Sequence, residues 1–200
     1  MSIKLTLLGS SGVGKTCIVK RYTDNTFDAD SASTPGASYS RKYLEDKNIY
    51  LDLWDTAGQE QYRSLGIHFY KDAFIVLLVY DITNKQSFQD LKDIWYPDLK
   101  DYGEKYTIIG VVGNKSDCYE NEEVKEEEAR AFSKEINSNF FLVSAKNGDN
   151  IELLFNSLVK EYFEPEFADK LRESLAEKGN TSKIIAGDDK VDKKNKKHFC

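Results

Sequence analysis

Eight residues near the N-terminus constrain this chain more than any others. Gly9 to Thr16 read Gly-Ser-Ser-Gly-Val-Gly-Lys-Thr, a G-x-x-x-x-G-K-[ST] pattern. Ile3 to Leu8 before it reads as a short buried strand, and Lys15 to Tyr22 reads as the start of a helix. A strand feeding a glycine-rich turn and then a helix N-terminus makes an anion cradle. The glycines let backbone N–H groups approach phosphate oxygens, and the helix dipole favours negative charge there. The cradle takes in Ser10, Ser11, Gly12, Val13, Gly14, Lys15, Thr16 and Cys17. Lys15 would reach the β- and γ-phosphates, and the Thr16 hydroxyl would ligate Mg²⁺. A flexible Gly/Ser turn is the plain alternative, and the strand and helix flanking the motif disfavour it.

Three later segments narrow the ligand. Asp55-Thr56-Ala57-Gly58-Gln59 follows the apolar strand Ile49 to Trp54. A carboxylate at the C-terminal end of a strand opens onto the crevice where parallel α/β sheets bind ligands. Asp55 can hold Mg²⁺ through water, Gly58 admits its N–H close to a γ-phosphate, and Gln59 can orient an attacking water. Asn114-Lys115-Ser116-Asp117 follows the strand Thr107 to Gly113. The Asp117 carboxylate can accept two N–H groups from a guanine edge, a pattern adenine does not offer. Asn114 can brace the cradle, and the Lys115 stem can lie along the base. Ser144-Ala145-Lys146 follows the strand Phe140 to Val143, and a backbone N–H there can meet the base carbonyl.

The rest of the chain alternates strand and helix. Strands are expected near 3–9, 38–46, 48–55, 74–80, 107–113 and 139–143, and helices near 15–25, 61–71, 85–101, 124–137 and 149–163. Near-continuous apolar strands imply a parallel sheet covered on both faces. The 38–46 and 48–55 pair, joined around Asp46-Lys47, should be a hairpin that gives one antiparallel edge. Pro97 should kink or end the 85–101 helix. The charge-dense run Glu120 to Arg130 reads as a solvated face.

After Phe163 the character changes. Pro165 ends the last helix, Gly179-Asn180-Thr181-Ser182 looks like linker, and Lys193-Lys194-Asn195-Lys196-Lys197 precedes a terminal Cys200. Residues from about 180 onward are expected to be disordered alone. Composition excludes several classes. Net charge is −6 with no basic stripe along the folded part, which argues against nucleic acid. The longest apolar run, Phe74 to Tyr80, cannot span a bilayer. Cys17, Cys118 and Cys200 form no Cys-x-x-Cys pair, as suits a reduced cytosolic protein.

With these residues in hand, the chain resembles the Ras superfamily of small GTPases from about Ile3 to Phe163. It looks most like the Rab branch, through Trp54 to Leu65 (WDTAGQEQYRSL), His68 to Ala73 (HFYKDA), Leu78 to Thr83 (LVYDIT) and Ser11 in the cradle. The resemblance implies further roles. Thr34 is expected as the switch threonine that meets Mg²⁺ and the γ-phosphate, and Phe27 as the aromatic packed on guanine. Tyr39, Trp54 and Phe69 fall where Rabs place an aromatic triad that effectors read. Three positions depart from the pattern: Pro35 after the switch threonine, Tyr39 in place of phenylalanine, and Asp72 in place of glycine. Cys200 is not a C-a-a-X box, but Rabs are also lipidated through an escort-protein route that tolerates other endings.

The fold expected is α/β, a P-loop NTPase (small G-protein) fold with a six-stranded mostly parallel sheet and helices on both faces. Residues 1–165 would form the GTP-binding domain and 166–200 a largely flexible tail with a basic run and lipidated Cys200. The expected function is a Rab-like switch that binds GTP/GDP with Mg²⁺ and hydrolyses GTP slowly, Gln59 and Lys15 carrying the chemistry. Implied partners are an exchange factor, a GTPase-activating protein, a GDP-dissociation inhibitor or escort protein, and effectors. The protein would be a cytoplasmic monomer without nucleic acid, cycling as a peripheral protein to the cytosolic face of an endomembrane. Two rival readings are a Ras-type GTPase at the plasma membrane and a nucleotide-locked adaptor with negligible hydrolysis.

Overall fold

The computed structural model describes residues 1–29, 34–58 and 69–188. Six strands form one sheet in the order β2-β3-β1-β4-β5-β6: β1 Ser2–Leu8, β2 Ala37–Leu44, β3 Ile49–Thr56, β4 Ile75–Asp81, β5 Ile108–Asn114 and β6 Asn139–Leu142. All neighbours run parallel except β2 and β3, the expected hairpin. Its turn closes through Lys47 N–H to Leu44 O and Asn48 N–H to Glu45 O, and Asn48 takes a left-handed φ of 53°.

Alternation along the strands sorts side chains onto two faces. In β4, Ile75, Leu77 and Val79 enter one core, while Val76, Leu78 and Tyr80 enter the other. Every residue of β4 is buried, as a central strand with helices on both sides requires. The first core is covered by α1 (Lys15–Asp24) and by α4 (Ile151–Tyr162). In α4 the buried positions are Ile151, Leu154, Phe155, Leu158 and Val159, the apolar stripe of an amphipathic helix. Tyr22 of α1 stacks on Phe155, ring centroids 3.7 Å apart.

The second core is covered by α2 (residues 85–102) and by α3 (Glu126–Glu135). Glu126, Glu127 and Glu128 occupy the first turn of α3 and Lys134 the last, each favourable to the helix dipole. Helix α2 runs through Lys85–Asp90, a π turn Leu91–Trp95, and Tyr96–Tyr102. It continues past Pro97. The proline, which has no N–H, sits in the first turn after the hydrogen-bond period changes, so no regular ladder bond is lost there.

The C-terminal segment differs from the expectation of a flexible tail from residue 166. Pro165 does follow the end of α4, but it also opens a further helix, α5 (Pro165–Asp188). The reason is tertiary. Phe167 is buried among the rings of Phe74, Tyr106 and Tyr162, at centroid distances of 6.3, 6.3 and 4.7 Å. Leu171, one turn later, packs on the same core, and Lys105 reaches Glu177 at 2.7 Å. Among the described residues no helix is long and apolar enough to cross a membrane.

Candidate nucleotide-binding site

The strand order reverses its direction of growth around β1. The crevice at the C-terminal ends of β1, β3, β4 and β5 is therefore the place where such sheets hold ligands. A cavity of about 420 Å³ lies there. It is lined by Ser11, Gly12, Gly14, Lys15, Thr16, Cys17, Phe27, Thr34, Gly58, Asn114, Lys115, Asp117, Ala145 and Lys146, all expected from the sequence. Four other expected residues, Ser10, Val13, Asp55 and Ser144, are not among its lining residues.

At the phosphate end, Gly14 caps α1 in the left-handed region, φ 94°, and its carbonyl accepts from Ile18 N–H at 2.9 Å. The Lys15 ammonium is buried and donates to Gly9 O at 2.7 Å and Ser10 O at 3.0 Å. Burial draws its pKa down to about 8, against the opposing pull of Asp55. Gly58 lies against the cradle so closely that a Cβ there would come within 2.3 Å of Ser11 N. The neighbouring Ala57 N–H donates to Gly36 O at 2.7 Å, tying the segment after β3 to the one before β2.

Three oxygens gather beside Lys15. Thr16 Oγ1 donates to Asp55 Oδ2 at 2.6 Å, Thr34 Oγ1 stands 3.2 Å from the same oxygen, and the two hydroxyls are 2.8 Å apart. The other carboxylate oxygen, Asp55 Oδ1, is buried and has no hydrogen-bond partner among the described residues. Burial raises the pKa of Asp55, while the Thr16 hydroxyl, Lys15 and the Thr34 hydroxyl hold it down. Hard oxygen donors of this kind, with one carboxylate oxygen left over for bound water, suit Mg²⁺. The residues present therefore fit the ion expected with a nucleotide.

At the base end one buried amide joins three motifs. Asn114 Nδ2 donates to Val13 O at 2.8 Å, and Asn114 Oδ1 accepts from Ala145 N–H at 3.1 Å. Ser144 is fully buried, and its hydroxyl donates to Asp117 Oδ1 at 2.6 Å. Burial pushes the Asp117 pKa up, but the Ser144 hydroxyl and backbone N–H contacts outweigh it and hold the carboxyl below its ordinary value. Asp117 is thus fixed as an acceptor. Phe27, over a third exposed, offers a ring at the cavity wall.

Several supporting contacts and lining residues were not expected. Lys115 adopts a left-handed φ of 68°, and its ammonium lies 2.6 Å from Asp81 Oδ2 at the end of β4. Arg21 of α1 donates to Ala145 O at 2.8 Å and Lys146 O at 2.6 Å, pinning the last loop from below. Ala29, Thr56 and Cys118 also line the cavity. Asp81 falls in the segment Leu78 to Thr83 and Thr56 in the Asp55 to Gln59 motif, whereas Arg21, Ala29 and Cys118 carried no signal in the sequence. On the outer surface, Tyr39 and Trp54 lie 5.3 Å apart and Trp54 and Phe69 5.7 Å apart by ring centroid, so the expected aromatic triad is one cluster. Gln59, Cys200 and the lysines from Lys193 to Lys197 lie outside the described residues.

Comparison with known proteins agrees with this geometry. The family model described as the Ras family matches residues 4–164. Ras-related protein Rab-26 of Rattus norvegicus is 38% identical over 164 residues, covering 80% of this chain and 63% of that protein. The chain thus spans a little under two thirds of that relative's length. GTP-binding protein ypt3 of Schizosaccharomyces pombe is 38% identical over 162 residues, 80% of this chain and 75% of its own. Ras-related protein Rab-13 of Rattus norvegicus is 33% identical over 199 residues, 98% of this chain and 94% of its own. A phosphate cradle, a three-oxygen cluster and a fixed carboxylate at the base end, on this sheet and with these relatives, place the chain in the Ras family of small GTPases, among its Rab-like members.

Proposed function

We propose that the chain is a Rab-like switch that binds GTP and GDP, hydrolyses GTP, and regulates endomembrane traffic by binding effectors in its GTP state. The observation that carries this reading is the Asn114 bridge. It makes the loop that would read guanine and the loop that would hold phosphate a single hydrogen-bonded unit. Asp117, oriented by Ser144, accepts two N–H donors from the guanine edge, and Lys146, 3.8 Å from that carboxylate, balances its charge.

At the other end, Lys15 and the backbone N–H groups of the cradle stabilise negative charge as it develops on the β–γ bridge and γ oxygens. Gln59 orients the attacking water. Thr16, Thr34 and Asp55 would hold Mg²⁺, which would neutralise further phosphate charge. Hydrolysis is slow until an activating protein contributes a cation. The γ-phosphate holds Thr34 and Gly58, and its loss frees the two loops that the Ala57–Gly36 hydrogen bond joins. Tyr39, Trp54 and Phe69 form the surface that effectors read. Cys200 carries the lipid, Lys193 to Lys197 favour an anionic leaflet, and an exchange factor and a GDP-dissociation inhibitor or escort protein complete the cycle.

The test has two arms. In competition binding, Asp117→Asn is expected to move preference from GTP to XTP, whose edge presents an acceptor in place of a donor. A variant that still prefers GTP would refute the base-end assignment. In a single-turnover assay, the wild type is expected to convert GTP to GDP, with Gln59→Leu binding GTP equally and converting it far more slowly. A wild type that converts none is a nucleotide-locked adaptor.

A further inference from the structure

Ser10 does not line the cavity, yet three parts of the site meet on it. Its carbonyl accepts from the Lys15 ammonium at 3.0 Å. Gly58 rests on it so tightly that a Cβ there would come within 2.4 Å of the Ser10 carbonyl carbon. Its hydroxyl turns the other way, towards α2. There it donates to Asp90 Oδ2 at 2.8 Å and accepts from the Trp95 indole N–H at 3.4 Å. Asp90 Oδ1 in turn accepts from the Gln86 side-chain amide at 2.8 Å.

Asp90 and Trp95 are five positions apart, and that spacing explains the π turn between them. In a regular α-helix, side chains five apart diverge by roughly 140° and could not converge on one atom. The turn Leu91–Trp95 closes its hydrogen bonds one residue later, which returns positions five apart to a common face. The effect is to aim a carboxylate and an indole N–H at the same hydroxyl in the cradle. Buried Trp95 anchors the arrangement in the second core.

Resting on the nucleotide-site reading above, we propose that Asp90 is a positioning residue that acts through Ser10 to hold the cradle closed on GDP, with the π turn as the device that aims it. Without the Asp90 contact the Ser10 hydroxyl keeps only the longer bond from Trp95, and the Ser10 peptide can rotate more easily. Rotation removes one acceptor from Lys15 and disturbs the seat of Gly58. Helix α2 thereby sets how fast nucleotide leaves, although it contributes no residue to the cavity lining.

The experiment uses the full chain loaded with a fluorescent GDP analogue and chased with excess GDP. Asp90→Ala and Ser10→Ala are each expected to speed release roughly tenfold, as loss of one charge-assisted hydrogen bond implies. The double variant should be no faster than the faster single, because both remove the same contact. Asp90→Asn keeps an acceptor at the same place and should stay within about threefold of wild type. Deleting Ile94 restores an α period and should match Asp90→Ala. If that deletion fails to fold, the point variants still decide. Release at the wild-type rate in Asp90→Ala overturns the proposal, as do additive effects in the double or an Asp90→Asn as fast as Asp90→Ala. A wild type that takes up no GDP sinks the nucleotide-site reading and this proposal together; a wild type that binds GDP with an indifferent Asp90→Ala sinks this proposal alone.

Discussion

Replacing Gly14 with alanine should weaken GDP binding mainly by breaking the hydrogen-bonded amide of Asn114 at the end of β5. Gly14 sits at φ 94°, where an L-residue is strained by about 1–2 kcal/mol. Its new Cβ would also stand 2.3 Å from Asn114 Nδ2, a distance no side-chain pair tolerates. The amide must move, and Asn114 is only 2% exposed, so it has nowhere to go without losing its partners. Val13 O and Ala145 N–H are then left buried and unpaired, at about 1–3 kcal/mol each. Allowing for relaxation, the total is about 3–5 kcal/mol, or at least a hundredfold in affinity. The nucleotide-free loop can relieve the strain by letting the bridge open, so binding, which needs it closed, bears the cost. Fluorescence titration with GDP at fixed Mg²⁺ reads it. The decisive comparison is with Asn114→Ala. Once the amide is gone, Gly14→Ala retains only its backbone strain and should cost about a further tenfold. If Gly14→Ala weakens the Asn114→Ala protein as much as it weakens wild type, the two residues are not coupled and the reasoning fails.

Lys15 should give the site a pH dependence. Phosphate favours the ammonium, whose pKa in the nucleotide-free protein is drawn down to about 8 by burial, so affinity should be flat below pH 8 and fall above it. Titrations from pH 7 to 9.5 that show rising affinity would contradict this sign. Phe167→Ala empties a buried site among three aromatic rings and should lower stability by about 3–5 kcal/mol, measured by thermal or urea unfolding. A loss below about 1 kcal/mol would mean that α5 is only loosely held. Cys200→Ser should be wholly cytosolic in cell fractionation, whereas protein that still pellets with membranes would remove the lipid from the account.

Much of this site was legible because its signals are local. A glycine at a fixed offset from lysine and threonine, or an Asp-x-x-Gly after a strand, marks where the backbone must turn and what it can hold, and strand periodicity then fixes which ends share a crevice. The braces are different. Asp90 with Ser10, Arg21 with Ala145, and Asp81 with Lys115 join residues far apart in the chain, and nothing local to Ser10, Ala145 or Lys115 says which distant side chain each will meet. The π turn was hidden for a related reason. Phe88, Leu91, Trp95 and Leu99 are buried at ordinary helical spacing, so the apolar pattern carries no trace of the changed hydrogen-bond period. Helix α5 was hidden because Phe167 and Leu171 stand in a charged stretch that by itself could not bury enough surface. The groove that orders them is made by Phe74, Tyr106 and Tyr162, which no local window brings together.

Helix α5 also separates two meanings of a domain. The Ras family model stops at residue 164, and a protein chemist guided by it would cut there. The physical unit runs on through Phe167 and Leu171 to Ser174, all at least partly buried. A chain trimmed at that residue keeps every nucleotide-facing residue yet bares the rings of Phe74, Tyr106 and Tyr162 to water. Such a patch invites association between copies, so the shortened protein would lose solubility before it lost its chemistry.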